Sequence, residues 1–177
     1  MKILRFFTIA CLLLLIPILS FGQHAHSKDS TVTQIKEVAR ALMTAAPNCA
    51  LITVDANGIP RVRMMDAFHP EKDFTVWFGT NPKSRKVAQI KKNSNVTLYY
   101  AEKNNSGYVV LHGEAQLISN KKEKERYWKS EWEAFYPDKE ESYVLIKVKP
   151  KWMEVVSYTN DLIGDKETWE PPSVHFD

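Results

Sequence analysis

The residues best equipped for chemistry lie in the run Thr80-Asn-Pro-Lys-Ser-Arg-Lys86. Asn81 directly before Pro82 fits a helix cap followed by the first residue of a helix. Backbone amides at a helix start have no internal partners, so an anion placed there gains several donors at once. Ser84 adds a hydroxyl, Arg85 a forked donor and Lys86 a compact charge. The chemistry this suggests is phosphate binding, with Thr80 at the mouth of the turn. The plainer alternative is a solvated first turn carrying basic residues by chance, and cations at a helix start oppose the helix dipole.

A second basic pair lies in Arg61-Val-Arg-Met-Met65. On a strand, Arg61 and Arg63 point to one side together with Met65, while Met64 and Ala67 are free to line other surroundings. Two like charges on one face either reach water or share an anion. Methionine thioethers can flank a planar ligand, and they are also routine core fillers. Other chemistries find less support. His24 and His26 sit in a polar leader, and His69, His112 and His175 have no cysteine or carboxylate spacing of the zinc or iron kind, so no metal site is expected. No nucleophile elbow, zincin helix or Walker pattern occurs. His112 is a lesser candidate, on a long strand that could face a pocket.

These residues need elements to position them. Thr31-Val-Thr-Gln34 fits a capping box, and Val32, Ile35, Val38, Leu42 and Met43 follow at helical spacing until Pro47. Cys49–Val54 and Arg61–Ala67 flank an Asn57-Gly58 turn and read as a hairpin. Phe74–Phe78 reads as a strand that leads into the phosphate-type turn, and Val87, Ala88 and Ile90 give the following helix an inner face. Strands over Val96–Tyr100 and Tyr108–Ile118 follow. A helix is expected from Asn120 to Tyr136, carrying Tyr127, Trp128, Trp132 and Phe135 as a stripe for the core or a subunit contact. Strands over Ser142–Val148 and Trp152–Tyr158 close the pattern. No strand-helix repeat is present. Turn-linked neighbours favour a mainly β chain with peripheral helices, its six-stranded antiparallel sheet closed into a split barrel that leaves no edge exposed.

The ends and totals set the context. Lys2 and Arg5, the apolar run Phe6–Leu19 and the small residues Ser20 and Gly22 are the parts of a secretory signal, with cleavage expected after Gly22. Pro17 interrupts the run, which is shorter than the roughly 20 residues of a spanning helix. The expected organisation is a signal over residues 1–22, a flexible leader over 23–30, one domain over 31–160 and a tail over 161–177, in a protein that is periplasmic or secreted. Removing Lys2 and Arg5 from the 24 basic residues, against 21 acidic ones, leaves a net charge near +1. That balance argues for neither a nucleic-acid nor a membrane surface. Cys11 leaves with the signal, so Cys49 stands alone, without an internal disulfide partner, and reads as a buried small residue.

Four stretches in order carry a resemblance: Asp55-Ala-Asn-Gly-Ile-Pro-Arg-Val-Arg-Met-Met65, Val76-Trp-Phe-Gly-Thr-Asn-Pro-Lys-Ser-Arg-Lys-Val87, Asn95-Val-Thr-Leu-Tyr-Tyr100 and Val109-Val-Leu-His-Gly-Glu-Ala115. The chain resembles the pyridoxamine 5'-phosphate oxidase-like, FMN-binding split-barrel proteins, in particular the general stress protein 26-like branch, over roughly Val32 to Tyr158. The resemblance implies a homodimer with FMN in clefts between subunits. It places Arg63 at the cofactor phosphate, backbone around Met64 and Met65 at the isoalloxazine edge, and Thr80, Ser84, Arg85 and Lys86 in the contact region, with Arg61 sharing the phosphate or meeting substrate. Residues around Tyr108–Leu111 are implied to reach the other subunit's flavin. Phe68 stands where the biosynthetic oxidases have a lysine, and residues 161–177 hold Trp169 and His175 but no arginine. The implied function is therefore an FMN-dependent oxidoreductase with a small-molecule redox partner, distinct from vitamin B6 synthesis. The alternative is a non-catalytic, stress-related flavin binder. A third reading has the same fold carrying haem, a deazaflavin or no cofactor.

Overall fold

The computed structural model describes residues 22–177, with side chains described from Thr31 onward. Apart from Gly22, the segment expected to direct export lies outside the described residues. Helix α1 (Gly22–Ala45) begins ahead of the expected cap at Thr31. It buries Ile35, Ala39, Leu42 and Met43, the stripe that its spacing predicts. Arg40 on its flank donates to the carbonyls of Pro70 (3.1 Å), Glu71 (2.8 Å) and Lys72 (2.8 Å), tying the helix to a distant loop.

Strands β1 (Cys49–Val54) and β2 (Pro60–Met65) form the expected hairpin, in the register Cys49↔Met65, Leu51↔Arg63 and Thr53↔Arg61. Gly58 adopts φ 78° in the turn, a conformation that costs glycine little. Next come β3 (Val76–Thr80), α2 (Arg85–Lys92), β4 (Asn95–Ala101), β5 (Gly107–Ile118) and a short α3 (Lys121–Arg126). The two C-terminal stretches counted apart in the sequence are one 14-residue strand, β6 (Val144–Ser157), and β7 (Ser173–His175) pairs with it.

All the ladders are antiparallel, and the strand order is β2-β1-β4-β5-β6-β3, with β7 on β6. This corrects the expected closed barrel. The path has two ends, β2 and β3, and no ladder joins them among the described residues. The chain crosses that gap with one isolated bridge, Ala67↔Phe78, and one hydrogen bond from the Phe68 amide to the Trp77 carbonyl (2.9 Å). The reason lies just past Met65. The Asp66 carboxylate accepts from Lys129 Nζ (2.5 Å) and Trp132 Nε1 (3.1 Å), which draws the chain out of the sheet before it can pair along β3. The architecture is a mixed α/β fold built on one large, open antiparallel sheet.

The inner face of this sheet carries the main core: Leu51, Leu98, Val109, Leu111, Ile146, Met153 and their neighbours, capped by α1. A second, aromatic cluster joins Trp77, Tyr127, Trp132 and Tyr143, with Phe68, Trp128 and Tyr136 packed against it. It accounts for the early end of α3. The helix expected through Tyr136 stops at Arg126, because Tyr127 turns to stack on Trp77 (centroids 4.2 Å apart) and donates its hydroxyl to Glu71. No helix among the described residues is long and apolar enough to cross a membrane.

Candidate functional site

The turn between β3 and α2 faces the outer end of the β1–β2 hairpin, and together they gather most of the expected residues. Pairing with Leu51 aims the Arg63 side chain at α2, which itself packs on β1 through buried Val87 and Ile90. Arg63 donates from Nη1 to Thr53 Oγ1 (2.7 Å) and the Leu51 carbonyl (3.3 Å), and from Nη2 to Gln89 Oε1 (2.9 Å). Thr53 Oγ1 donates in turn to Gln89 Oε1 (2.6 Å). Lys86 donates to Thr80 Oγ1 (2.9 Å), and Ser84 Oγ lies 3.5 Å from the same oxygen.

The electrostatics are unbalanced in one direction. Burial, and then the nearby charge of Arg85, lowers the proton affinity of Arg63 below the ordinary arginine value. Burial, and then the charge of Arg63, does the same to Lys86. Three cations thus lie close enough to disfavour one another, and among the described residues none of Arg63, Arg85 or Lys86 pairs with a carboxylate. The α2 start adds donors. Ser84 occupies the cap position without a side-chain capping bond, and the amides of Arg85 and Lys86 have no acceptor among the described residues. Two half-buried cations and one exposed one, beside free amides, make a cradle that can receive a multiply charged anion.

The structure separates the other candidates from this group. Arg61 shares the Arg63 face, yet Asp55 claims it, with Nε donating at 2.8 Å and Nη2 at 2.7 Å. Asp55 is well suited to that role: the amides of Asn57 and Ile59, and then Arg61, hold its carboxyl below the usual range. Met65 is buried in the core, so its backbone alone could meet a ligand, whereas Met64 is 64% exposed on the opposite, outer face. His112 lies on that outer face, stacked on Trp152 (4.0 Å) and hydrogen-bonded to Thr97 (3.0 Å), away from the cradle. Among the described residues no cluster of histidine, cysteine or carboxylates is set to hold a metal.

Two residues of the site escaped the sequence reading. Thr53 and Gln89 carry no motif, and each gains its role only when β1, β2 and α2 meet. The Asp55–Arg61 pair did have a signal, an acidic residue at one shoulder of a hairpin turn and a basic residue at the other. A cavity of about 300 Å³ opens beside the cradle, lined by Asp55, Arg61, Arg85, Gln89 and Lys92 among others. Two roomier hollows, about 620 Å³ against α1 and about 580 Å³ beside Trp128, are lined by none of the candidate residues.

Fold and geometry together define an antiparallel-sheet protein with unpaired cations and free amides gathered at one corner of the sheet. Residues 32–161 match the family model described as Pyridoxamine 5'-phosphate oxidase like, and the chain belongs to that family. It is similar to general stress protein 26 of Bacillus subtilis (strain 168), at 27% identity over 106 residues covering 58% of this chain and 74% of the relative. The crystal structure of general stress protein 26 from Bacillus anthracis str. Sterne superposes with a TM-score of 0.65 at 22% identity, covering 81% of this chain and 99% of that one. A pyridoxamine 5'-phosphate oxidase-related, FMN binding protein from Nostoc punctiforme shares the fold at a TM-score of 0.52 and 16% identity, covering 90% and 100% of the two chains. The family is thereby associated with an FMN-binding fold, and the donor set described above suits the phosphate of such a cofactor.

Proposed function

We propose that this protein binds FMN, holding the phosphate with Arg63, Arg85, Lys86, Ser84 and the free amides at the α2 start, while Thr80 steadies Lys86. The observation that carries this reading is the uncompensated charge: of three clustered cations, two of them half-buried, none forms an ion pair with a carboxylate among the described residues. A bound phosphate dianion supplies the missing countercharge. Arg61, already paired with Asp55, contributes less. Bound FMN supplies hydride and one-electron chemistry of its own, and the protein's part is to fix and shield it.

The second subunit belongs to the same proposal. The outer sheet face exposes Val62 (65%), Met64 (64%) and Tyr99 (40%), with Tyr99 stacked on Tyr108 at 5.8 Å. Contiguous apolar surface of this kind marks an interaction site. A second copy covering it makes a homodimer with Met64 at the seam. Export of the mature chain to the periplasm or the medium remains part of the proposal.

Of the two uses of flavin, the likeness to general stress protein 26 favours stress-related flavin binding over turnover of a dedicated substrate. Reconstitution with FMN and anaerobic titration with nicotinamide cofactors and small-molecule acceptors separates them. Tight binding without multiple turnover supports the binder, sustained turnover establishes the oxidoreductase, and a protein that ignores added FMN refutes both.

A further inference from the structure

A charge withdrawn from water is costly unless it is paired, and Arg63 is partly withdrawn. The guanidinium of Arg63 has instead three neutral acceptors: the Thr53 hydroxyl, the Leu51 carbonyl and the Gln89 amide oxygen. Gln89 is the telling one. Both groups that meet it are donors, Arg63 Nη2 at 2.9 Å and the Thr53 hydroxyl at 2.6 Å, so the amide must present its oxygen to them. Thr53 is fully buried and accepts from Arg63 while donating to Gln89, which closes a three-residue ring. The ring fixes the guanidinium and leaves its charge intact. A glutamate has nearly the same shape, accepts the same two bonds and removes the uncompensated charge.

We propose that Gln89 is the positioning residue that sets the site's selectivity for phosphorylated over unphosphorylated flavin, by anchoring Arg63 through a neutral acceptor and so reserving its charge for the ligand. This rests on reading the cradle as the FMN phosphate site. A purely structural role makes a different prediction. If Gln89 merely supported the fold, stability and affinity would move together in its variants. If it spares charge, they move apart.

The test uses the mature chain with Gln89→Glu and Gln89→Leu, measuring dissociation constants for FMN and riboflavin, the salt dependence of FMN binding and the melting temperature of the flavin-free protein. For Gln89→Glu the expected result is unchanged or higher melting, FMN binding weakened by about tenfold or more, riboflavin binding altered by less than about twofold, and a shallower salt dependence. For Gln89→Leu the melting temperature falls, because Arg63 and Thr53 lose an acceptor, yet the preference for FMN over riboflavin survives. The inference is overturned if Gln89→Glu keeps the wild-type preference while Lys86→Met loses it, since the phosphate site would then stand without help from Gln89. A wild-type protein that does not distinguish FMN from riboflavin overturns the phosphate-site reading itself and the inference with it.

Discussion

Replacing Lys86 by methionine is the sharpest perturbation of the cradle, because its effects on binding and on folding have opposite expected signs. The lysine stem is half-buried and methionine preserves much of it. The ammonium makes one hydrogen bond, to Thr80 Oγ1 at 2.9 Å, and Thr80 keeps its place in the β3–β6 ladder opposite Val144. Removing the ammonium also removes its repulsion by Arg63, the second cause of its lowered proton affinity after burial. Melting of the flavin-free variant should therefore be unchanged or slightly higher. Binding should suffer. A charge-assisted hydrogen bond contributes about 1.5–3 kcal/mol, and about 1.4 kcal/mol corresponds to a tenfold change in affinity. FMN should accordingly bind about 10- to 150-fold more weakly, while riboflavin, lacking the phosphate, should bind as before. Flavin fluorescence titrations with both ligands, run beside thermal melts, measure all three quantities. Equal losses for FMN and riboflavin, or an unchanged FMN constant with intact folding, would refute the assignment of Lys86 to the phosphate.

Because burial and Arg63 hold the Lys86 ammonium below its ordinary 10.5, FMN affinity should fall as pH rises through that lowered value while riboflavin affinity stays level; over the window between the folded and unfolded values, the flavin-free protein should gain stability with pH, since the unfolded chain binds the extra proton. Burial pushes the Cys49 thiol up to about 12, so iodoacetamide at mildly alkaline pH should leave a folded chain starting at Gln23 unlabelled by intact mass and label it once after unfolding. Met64→Glu places a charge on the exposed outer face without touching the core, and should convert a dimer to a folded monomer in sedimentation experiments; an unchanged dimer would place the interface elsewhere.

Local signals made much of the fold legible. The Asn57-Gly58 turn sets the hairpin, and the period-two burial along β4 and β5 follows their alternation of side chains. What failed to show was set by distant partners. The helix past Arg126 has sound helical spacing, but Tyr127 and Trp132 gain more from Trp77, Glu71 and Asp66 than from continuing it. The strand placed at Phe74 begins two residues later, at Val76, because Phe74 itself adopts φ 64° against Phe176 from the C-terminus. Barrel closure was inferred from turn-linked strands and from resemblance, and neither registers that Asp66 leaves the sheet to meet Lys129.

The site divides in the same way, and the division shows what makes it a site. Arg61 and Arg63 are two residues apart on one strand face and indistinguishable by type and spacing. One is neutralised within its own hairpin by Asp55, and the other is held by Thr53 and Gln89 without being neutralised. Sequence identifies where positive charge can gather, because residue type and period are local. Whether that charge is already satisfied depends on which acceptor the fold brings within 3 Å, and a carboxylate and an amide of the same length there give opposite answers. The proposed anion binding at this corner therefore rests as much on the uncharged residue at position 89 as on the basic residues around it, and a homologue with glutamate at that position should keep the fold and lose the preference for the phosphorylated ligand.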